Sequence, residues 1–266
     1  MHIGRRTFLK MATASCACGL SGFSAHAGNE SAQSHAPGAD HKSHWSYEGQ
    51  TGPAHWGELS PDFKVCRLGL EQTPIDLSGS LKADLGSLAI DYHNVPFKVL
   101  NNGHTIQADC STGCAFSIAD TRYDLAQFHF HHPSEHLLDG KAFDMELHLV
   151  HKSADGALAV IGVFVASGSH NPALDSIFSR MPASEGAATV ADVEIDPSSL
   201  LPAARNHFRY AGSLTTPPCS EGLVWTVFRD PIEASPAQIQ KFAALFPNNA
   251  RPVQRKNNRF LIEASP

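Results

Sequence analysis

The fold of this chain is constrained most strongly by two short segments in which histidines alternate with large apolar residues. The first is Gln127–His131, with the sequence QFHFH, and the second is Glu146–Val150, with the sequence ELHLV. Successive side chains of a β-strand point to opposite faces, so in each segment the histidines lie on one face and the large apolar residues on the other. The pattern predicts two strands that are packed on a core by one face and carry imidazoles on the other.

Further strand-like segments and few helical ones indicate a mainly β (α+β) domain. The 20 glycines and 17 prolines favour many short strands and turns. Asn171 and Ser235 each precede a proline and are predicted to cap helices over Ala173–Arg180 and Ala237–Phe246. The predicted fold is a large, twisted, mostly antiparallel central sheet with a few short peripheral helices. The predicted strands, which include the two alternating segments, are Leu88–Tyr92, Phe97–Asn101, Thr105–Ala108, Ala115–Ile118, Asp124–His131, Phe143–His151, Ala157–Ala166 and Leu223–Phe228.

If the two alternating strands are neighbours, three imidazoles converge on one face. His129, His131 and His148 would then offer three nitrogens and leave a fourth position open, the pattern of a catalytic zinc site. Gln127 and Glu146 each stand two residues before a histidine, where their oxygens can accept the outer ring N–H of a ligating imidazole. Iron or copper is the chemical alternative. An ordinary pair of surface histidines is the simpler alternative for a single His-x-His.

The amino-terminal segment reads as a targeting sequence and a linker. Residues 1–27 contain Arg5 and Arg6 followed by Phe-Leu-Lys, a weakly apolar stretch too short to span a membrane, and the small-x-small site at residues 25–27, which together predict a twin-arginine-type signal peptide. A disordered cytoplasmic tail is the alternative. Residues 28–43 are predicted to be a disordered, histidine-containing leader, and residues 44–266 one domain. The sequence therefore predicts export to the periplasm or the medium.

Export changes the interpretation of the cysteines that follow the signal. Disulfides persist in oxidising compartments, and four cysteines allow three pairings. Cys110 and Cys114 bracket three residues and either close a small loop or remain free. Cys66 and Cys219 would then pair across a loop of about 150 residues, which stabilises by about 4–5 kcal/mol in the chain-entropy model.

Several motifs, in this order and spacing, resemble the alpha-class carbonic anhydrases of the bacterial, periplasmic or secreted type. The resemblance covers about 44–262. Cys66 and Cys219 resemble the positions of that branch's single disulfide, whereas Cys110 and Cys114 fall outside the pattern. The motifs are Gln72–Asp76, Asn101–His104, Gln127–His131, Pro133–His136, Glu146–His151, Gly212–Pro218 and Arg251–Gln254.

The resemblance implies an enzyme that uses zinc to hydrate carbon dioxide reversibly to bicarbonate and a proton, by attack of a zinc-bound hydroxide. His129, His131 and His148 resemble the zinc ligands, and His104 resembles a histidine proton shuttle; a plain turn histidine after Asn-Gly is the alternative for His104. The resemblance also implies that the Thr215 hydroxyl accepts from the hydroxide and donates to Glu135, and that Thr216 contacts bicarbonate. The implied hydrogen-bond acceptors for the ligand histidines are Gln127, Glu146 and the backbone carbonyl of Asn249. The implied apolar substrate pocket consists of Val150, Val160, Leu214 and Trp225.

Two positions depart from the family pattern, and two histidines have no matched role. His132 and Ala250 stand where the family often has tryptophan, which affects the expected shape of the pocket but not the ligand set. His136 and His151 are predicted to be structural, with His136 packed beside the site.

Three other functions fit parts of the sequence. A carbonic-anhydrase-like binding module without catalysis would be expected to lack a ligand histidine, whereas this chain has all three. A zinc esterase requires an ester-shaped pocket. A metal-scavenging protein would lose its function on deletion of residues 28–43. The net charge of −6 and the scattered Lys and Arg argue against nucleic-acid binding, no stable membrane insertion is expected, and a homodimer is left open.

Overall fold

The structure is a computed structural model that describes residues 44–86 and 88–264. The predicted signal peptide and leader lie outside the described residues. Within the described ranges no helix is long and apolar enough to cross a membrane.

The described residues form fifteen strands and four α-helices, with 3-10 turns at Gly49–Thr51, Pro61–Phe63 and Pro197–Leu200. The strands are β1 Asp76–Leu77, β2 Leu81–Lys82, β3 Ala89–Asp91, β4 Val95–Asn101, β5 Ile106–Cys110, β6 Ala115–Ile118, β7 Thr121–His131, β8 Leu137–Leu138, β9 Met145–Ser153, β10 Leu158–Ser167, β11 Ala188–Ile195, β12 His207–Ser213, β13 Glu221–Phe228, β14 Ile232–Ala234 and β15 Ile262–Ala264. The helices are α1 Trp56–Leu59, α2 Val65–Leu68, α3 Pro172–Phe178 and α4 Pro236–Ala243.

One large sheet of thirteen strands dominates the fold and confirms the predicted fold class. Its main path runs β11-β4-β5-β7-β9-β10-β13-β12-β15-β2, and the two alternating segments become the adjacent antiparallel strands β7 and β9 near its middle. Strand β10 is buried along almost its whole length, as expected for a strand covered on both faces. Apolar clusters form on both faces of the sheet, so its central strands are held rigidly.

The large sheet is mostly antiparallel, as predicted, but it also contains parallel pairs. Strand β10 pairs in parallel with both β13 and β14, and β15 pairs in parallel with β2. No strand was predicted from the sequence over the residues of β11 or β12. In β12 the sequence HFRYAGS includes an arginine and a glycine, which weaken both the alternation and the β-propensity that identify a strand.

The two predicted helices are present with the predicted caps. The Asn171 side chain accepts hydrogen bonds from the backbone N–H groups of Ala173 and Leu174. Ser235 forms a capping box with Gln238. Both helices begin at the proline that follows the cap and end two or three residues earlier than predicted, since only their first turns are marked by strong signals. The four-residue helices α1 and α2 are too short to show a helical period.

A disulfide joins Cys66 to Cys219 across 153 positions of sequence. It lies in a small apolar cluster with the fully buried Trp56 and fastens the amino-terminal helices to the loop between β12 and β13. Cys110 and Cys114 are free thiols, so of the two alternatives for this pair the structure contains the unbonded one. Burial raises the pKa of Cys110 to about 12 and also raises that of Cys114, which keeps both protonated at neutral pH.

Candidate metal centre and active site

The three histidines singled out in the sequence meet at the centre of the sheet. In the register of β7 and β9, His129 stands directly opposite His148, and His131 stands opposite Glu146. His131 lies two residues along from His129 on the same face of β7. Ligand atoms of the three imidazoles lie within 4.8 Å of one another, so together they could hold a metal ion.

Each of the three imidazoles is oriented by a hydrogen bond from one ring nitrogen to a protein oxygen. His129 Nδ1 donates to Gln127 Oε1 at 2.9 Å, His131 Nδ1 donates to the Asn249 carbonyl at 2.8 Å, and His148 Nε2 donates to Glu146 Oε1 at 2.9 Å. These bonds leave Nε2 of His129, Nε2 of His131 and Nδ1 of His148 facing the shared space. His131 Nε2 is buried without a hydrogen-bond partner, as expected of an atom that is suited to bind a metal.

The surroundings of the two β7 imidazoles disfavour their charged form. Burial lowers the pKa of His129 well below its ordinary value, and the nearby His131 and His148 lower it further. Burial also lowers the pKa of His131, although the Glu135 carboxylate acts in the opposite direction. A neutral imidazole has the free lone pair that a metal ion requires, so the lowered pKa values of His129 and His131 favour metal binding.

Glu146 organises the buried floor of the site. Its Oε2 accepts the backbone N–H groups of Glu135 and His136 at 2.9 and 2.8 Å, and its Oε1 accepts from His136 Nδ1 at 2.6 Å as well as from His148. Burial alone would raise the Glu146 pKa, but His136 and His148 hold it well below its usual range. Glu146 is therefore a carboxylate whose lone pairs are used to position its neighbours.

His136 and His151 occupy buried positions outside the three-imidazole group. His136 Nε2 lies 2.6 Å from the Tyr210 hydroxyl, so both ring nitrogens of His136 are engaged by protein groups. His136, Glu146 and His148 form a second group with metal-ligand spacing, but hydrogen bonds among the three already account for it. His151 Nε2 lies 2.6 Å from the Tyr92 hydroxyl, away from the site.

Glu135 turns one carboxylate oxygen toward the imidazoles. Its Oε1 accepts the backbone N–H of Arg251 at 2.8 Å. Its Oε2 is buried without a hydrogen-bond partner, 3.6 Å from His131 Nε2 and 3.8 Å from His148 Nδ1. Thr215 is also buried, and within the described part of the chain no direct hydrogen bond joins its hydroxyl to Glu135.

The remaining predicted pocket residues surround this group. Val160 and Trp225 are buried in one apolar cluster, against which Val150 and Leu214 pack. The Trp225 ring centre lies 4.8 Å from that of His148, and its indole N–H donates to the Ser213 carbonyl. Thr216 lines a cavity of ≈ 120 Å³ together with His129 and His131.

His104 lies in the wall of the same cavity, in a tight turn. Asn102 Oδ1 accepts the backbone N–H groups of His104 and Thr105, and Gly103 has a positive φ of 85°. The imidazole stacks on the Trp45 indole with ring centres 3.6 Å apart and planes 10° apart. Burial lowers the His104 pKa, Glu185 raises it and His44 lowers it.

Several side chains around the site were not predicted from the sequence to belong to it. Trp45, Tyr47 and Gln107 line the cavity with His104, and Tyr210 contacts His136. Trp45 and Tyr47 come directly after the leader-like segment, and their aromatic character is the only local signal of a packed position.

The two departures from the family pattern lie beside the site. His132 Nδ1 donates to the Pro247 carbonyl, and its backbone N–H donates to Asn249 Oδ1 at 2.8 Å. Both contacts involve the segment that presents the Asn249 carbonyl to His131. Ala250 is half-buried in that same segment.

Comparisons with known proteins agree with this geometry. A sequence model of the eukaryotic-type carbonic anhydrase family matches residues 51–265. A carbonic anhydrase of Nostoc sp. is 50% identical over 226 residues, which cover 83% of this chain and 86% of the relative. A carbonic anhydrase of Pectobacterium atrosepticum is 42% identical, covering 82% of this chain and 90% of the relative. Among solved structures, the alpha-carbonic anhydrase of Thermovibrio ammonificans in complex with the inhibitor sulfanilamide superposes with a TM-score of 0.81 at 42% identity, covering 83% of this chain and 99% of that one.

Proposed function

Because the chain belongs to the eukaryotic-type, or alpha, carbonic anhydrase family, we propose that it catalyses the zinc-dependent, reversible hydration of carbon dioxide to bicarbonate and a proton. The observation that carries the proposal is the set of three imidazoles, each fixed by a protein oxygen, whose remaining nitrogens face one another. The buried, unpartnered His131 Nε2 fits a group that accepts a metal.

His129, His131 and His148 would hold the zinc ion. When bound, zinc lowers the pKa of a coordinated water to about 7 and so supplies a nucleophile at neutral pH, an effect for which carbonic anhydrases are themselves the usual example. Gln127, Glu146 and the Asn249 carbonyl fix the tautomer of each ligand histidine. All three acceptors are oxygens positioned by the sheet or by a buried loop, which supports a site that exists before the metal arrives.

Glu135 and Thr215 orient the reacting oxygen. The free Oε2 of Glu135 is an acceptor facing the imidazoles, and the Thr215 hydroxyl donates to it during the reaction, so the hydroxyl oxygen is left to accept from the nucleophile. Arg251 holds the other Glu135 oxygen through its backbone N–H. Thr216, in the cavity wall, contacts bicarbonate.

An apolar wall binds the substrate. Carbon dioxide has no charge and no dipole, so it gains little from polar groups and is best held by side chains that exclude water. Val150, Val160, Leu214 and Trp225 belong to one apolar cluster, and Trp225 packs directly on His148. This arrangement supports a pocket that presents the carbon atom to the reacting oxygen.

His104 carries the proton from the site to the surrounding buffer. It lines the cavity with His129 and His131, and its half-buried ring stacks on Trp45 in the wall of that cavity. An imidazole with a pKa near neutrality can accept and release a proton at physiological pH. Burial lowers its pKa, which favours prompt release to the buffer.

Export completes the proposal. Residues 1–27 direct the chain to the periplasm or the medium by the twin-arginine route, residues 28–43 form a linker, and residues 44–266 form the catalytic domain. The Cys66–Cys219 disulfide supports an oxidising destination.

Removal and return of the metal tests the proposed function. Purified protein treated with dipicolinate should lose carbon dioxide hydration in a stopped-flow indicator assay and regain it with one equivalent of zinc. Its circular dichroism should hardly change, because protein oxygens hold the ligand histidines. Hydration that persists without metal would contradict the proposal. So would folded protein with one bound zinc and no hydration, which would point instead to a binding module.

Substitution of His104 tests its proposed role in proton transfer. His104→Ala should lower kcat by about 10²-fold in weak buffer and leave kcat/KM nearly unchanged, because the proton leaves after carbon dioxide has reacted. Millimolar imidazole should restore most of the rate. His170→Ala is the matched control, since that histidine is exposed and lies beside Asp175, outside the cavity lining described above. A kcat that is unchanged by His104→Ala in weak buffer would show that protons leave by another route.

A further inference from the structure

An open, largely apolar groove lies outside the metal centre, on strands β12, β13 and β15. Its volume is ≈ 690 Å³, within the range of small-molecule sites. Leu70 and Phe260 stand at its rim with 69% and 72% of their surface exposed, which is unusual for large apolar side chains on a folded domain. The apolar lining consists of Leu70, Tyr210, Ala211, Val224, Phe260 and Ile262.

Arg209 brings an unneutralised charge into this groove. Its Nε is buried without a hydrogen-bond partner, and its Nη2 lies 3.5 Å from His207 Nε2. Among the described residues no carboxylate forms an ion pair with it. Burial lowers the Arg209 pKa, and no acid acts in the opposite direction. A guanidinium has five N–H donors, and among the described residues the Nε donor of Arg209 is buried without an acceptor.

The residue opposite Arg209 in the sheet also has a buried polar atom without a hydrogen-bond partner. Thr226 lies directly opposite Arg209 in the register of β12 and β13, and its hydroxyl is buried without a partner. Side chains opposite each other in an antiparallel pair share one face of the sheet. Two polar groups without a partner, an N–H donor and a hydroxyl, therefore stand opposite each other, and buried polar groups are seldom left unpaired.

The other charged groups of the groove are already engaged. The Arg259 guanidinium donates to four backbone carbonyls and lies 5.6 Å from the centre of the Tyr210 ring. Glu71, the acid in the lining, raises the pKa of Arg259 rather than that of Arg209. A ligand would therefore meet Arg209 as its available ionic partner.

We propose that this groove binds a small amphiphilic carboxylate, with the head group on Arg209 and an alkyl chain of medium length along the apolar lining. A carboxylate matches the fork of a guanidinium and supplies the acceptors that this part of the sheet lacks. The alkyl chain of the ligand covers Leu70, Phe260 and Ile262 of the apolar lining. The site is separate from the metal centre and independent of the function proposed above.

Decanoate is the probe, titrated by calorimetry into the zinc-loaded full-length chain. Binding should be saturable, and it should weaken by about tenfold or more for decanol, which lacks the charge, and for acetate, which lacks the chain. Arg209→Gln should weaken decanoate binding by about tenfold or more. Arg122→Gln, which removes an exposed arginine of β7 paired with Asp91 and Asp124, is the matched control and should bind like the unmodified chain.

A second variant keeps the test decisive if Arg209→Gln folds poorly. Ala211→Phe fills the floor of the groove from an exposed position and leaves the charge in place, so it should also abolish decanoate binding. Equal binding by the unmodified chain and both groove variants, or no binding by the unmodified chain, would overturn the proposal. A concentration-dependent dimer that Phe260→Glu dissociates, with no decanoate binding, would assign the groove to a second copy and also overturn it.

Discussion

His148→Ala should reduce carbon dioxide hydration by about a thousandfold or more and should release the zinc ion. Loss of a partner that merely orients a ligand typically costs about 10–100-fold in metal affinity or activity, and loss of the ligand itself should cost more. His148 is the sole ligand proposed from β9, and its Nδ1 faces the nitrogens of His129 and His131. Without His148, the two ligands from β7, His129 and His131, leave the ion without a protein ligand on the side of β9.

The measurements are zinc content by mass spectrometry and stopped-flow hydration on the same sample. His132→Ala is the matched control, because His132 directly follows β7 but donates its ring N–H to the Pro247 carbonyl. It should retain zinc and most of the activity. If His148→Ala kept both zinc and hydration, the ligand set would be wrong.

Removal of the disulfide by the double substitution Cys66→Ala and Cys219→Ala should lower the free energy of unfolding by about 5 kcal/mol. The estimate is the chain-entropy cost of freeing a loop of 153 residues, and it rests on the loop length alone. The folded fraction should keep its hydration activity, because neither cysteine contacts the ligand histidines. Chemical denaturation followed by circular dichroism measures the first quantity and stopped-flow the second.

Cys110→Ala is the control for the loss of a cysteine as such, since Cys110 is a free thiol at the end of β5. Its unfolding midpoint should move little. A double variant with an unchanged midpoint would show that the disulfide does not stabilise the fold. A double variant that folds fully but lacks hydration would show that the bridge shapes the site.

The centre of the molecule could be predicted because its signal is local. The alternation in β7 and β9 follows from a pleated strand with one face buried, and it places histidines and acceptors in step within each strand. The caps of α3 and α4 are similarly local, since a side chain satisfies N–H groups two or three residues away. Free cysteines and mixed strand pairing depend on contacts across the chain, which no short window contains.

The parts that were missed are of this second kind. Trp45 stacks on His104 across 59 positions of sequence, and Tyr210 reaches His136 across 74. The parallel pairing of β10 with β13 is equally remote in sequence. The Asn249 carbonyl could be expected only from the family resemblance, because any residue can present a backbone oxygen.

The central place of β7 and β9 in the sheet has a consequence for the lifetime of the metal site. Each has strands hydrogen-bonded on both sides, whereas β2 and β11 form the two ends of the sheet path. Edge strands open most readily, and amide exchange in such sheets spreads inward from them. Fraying at either edge would leave several paired strands around the ligand histidines, so brief local openings should not disturb the ligand set. Zinc would then enter and leave through the cavity that His129 and His131 line, while the strands that carry its ligands stay paired.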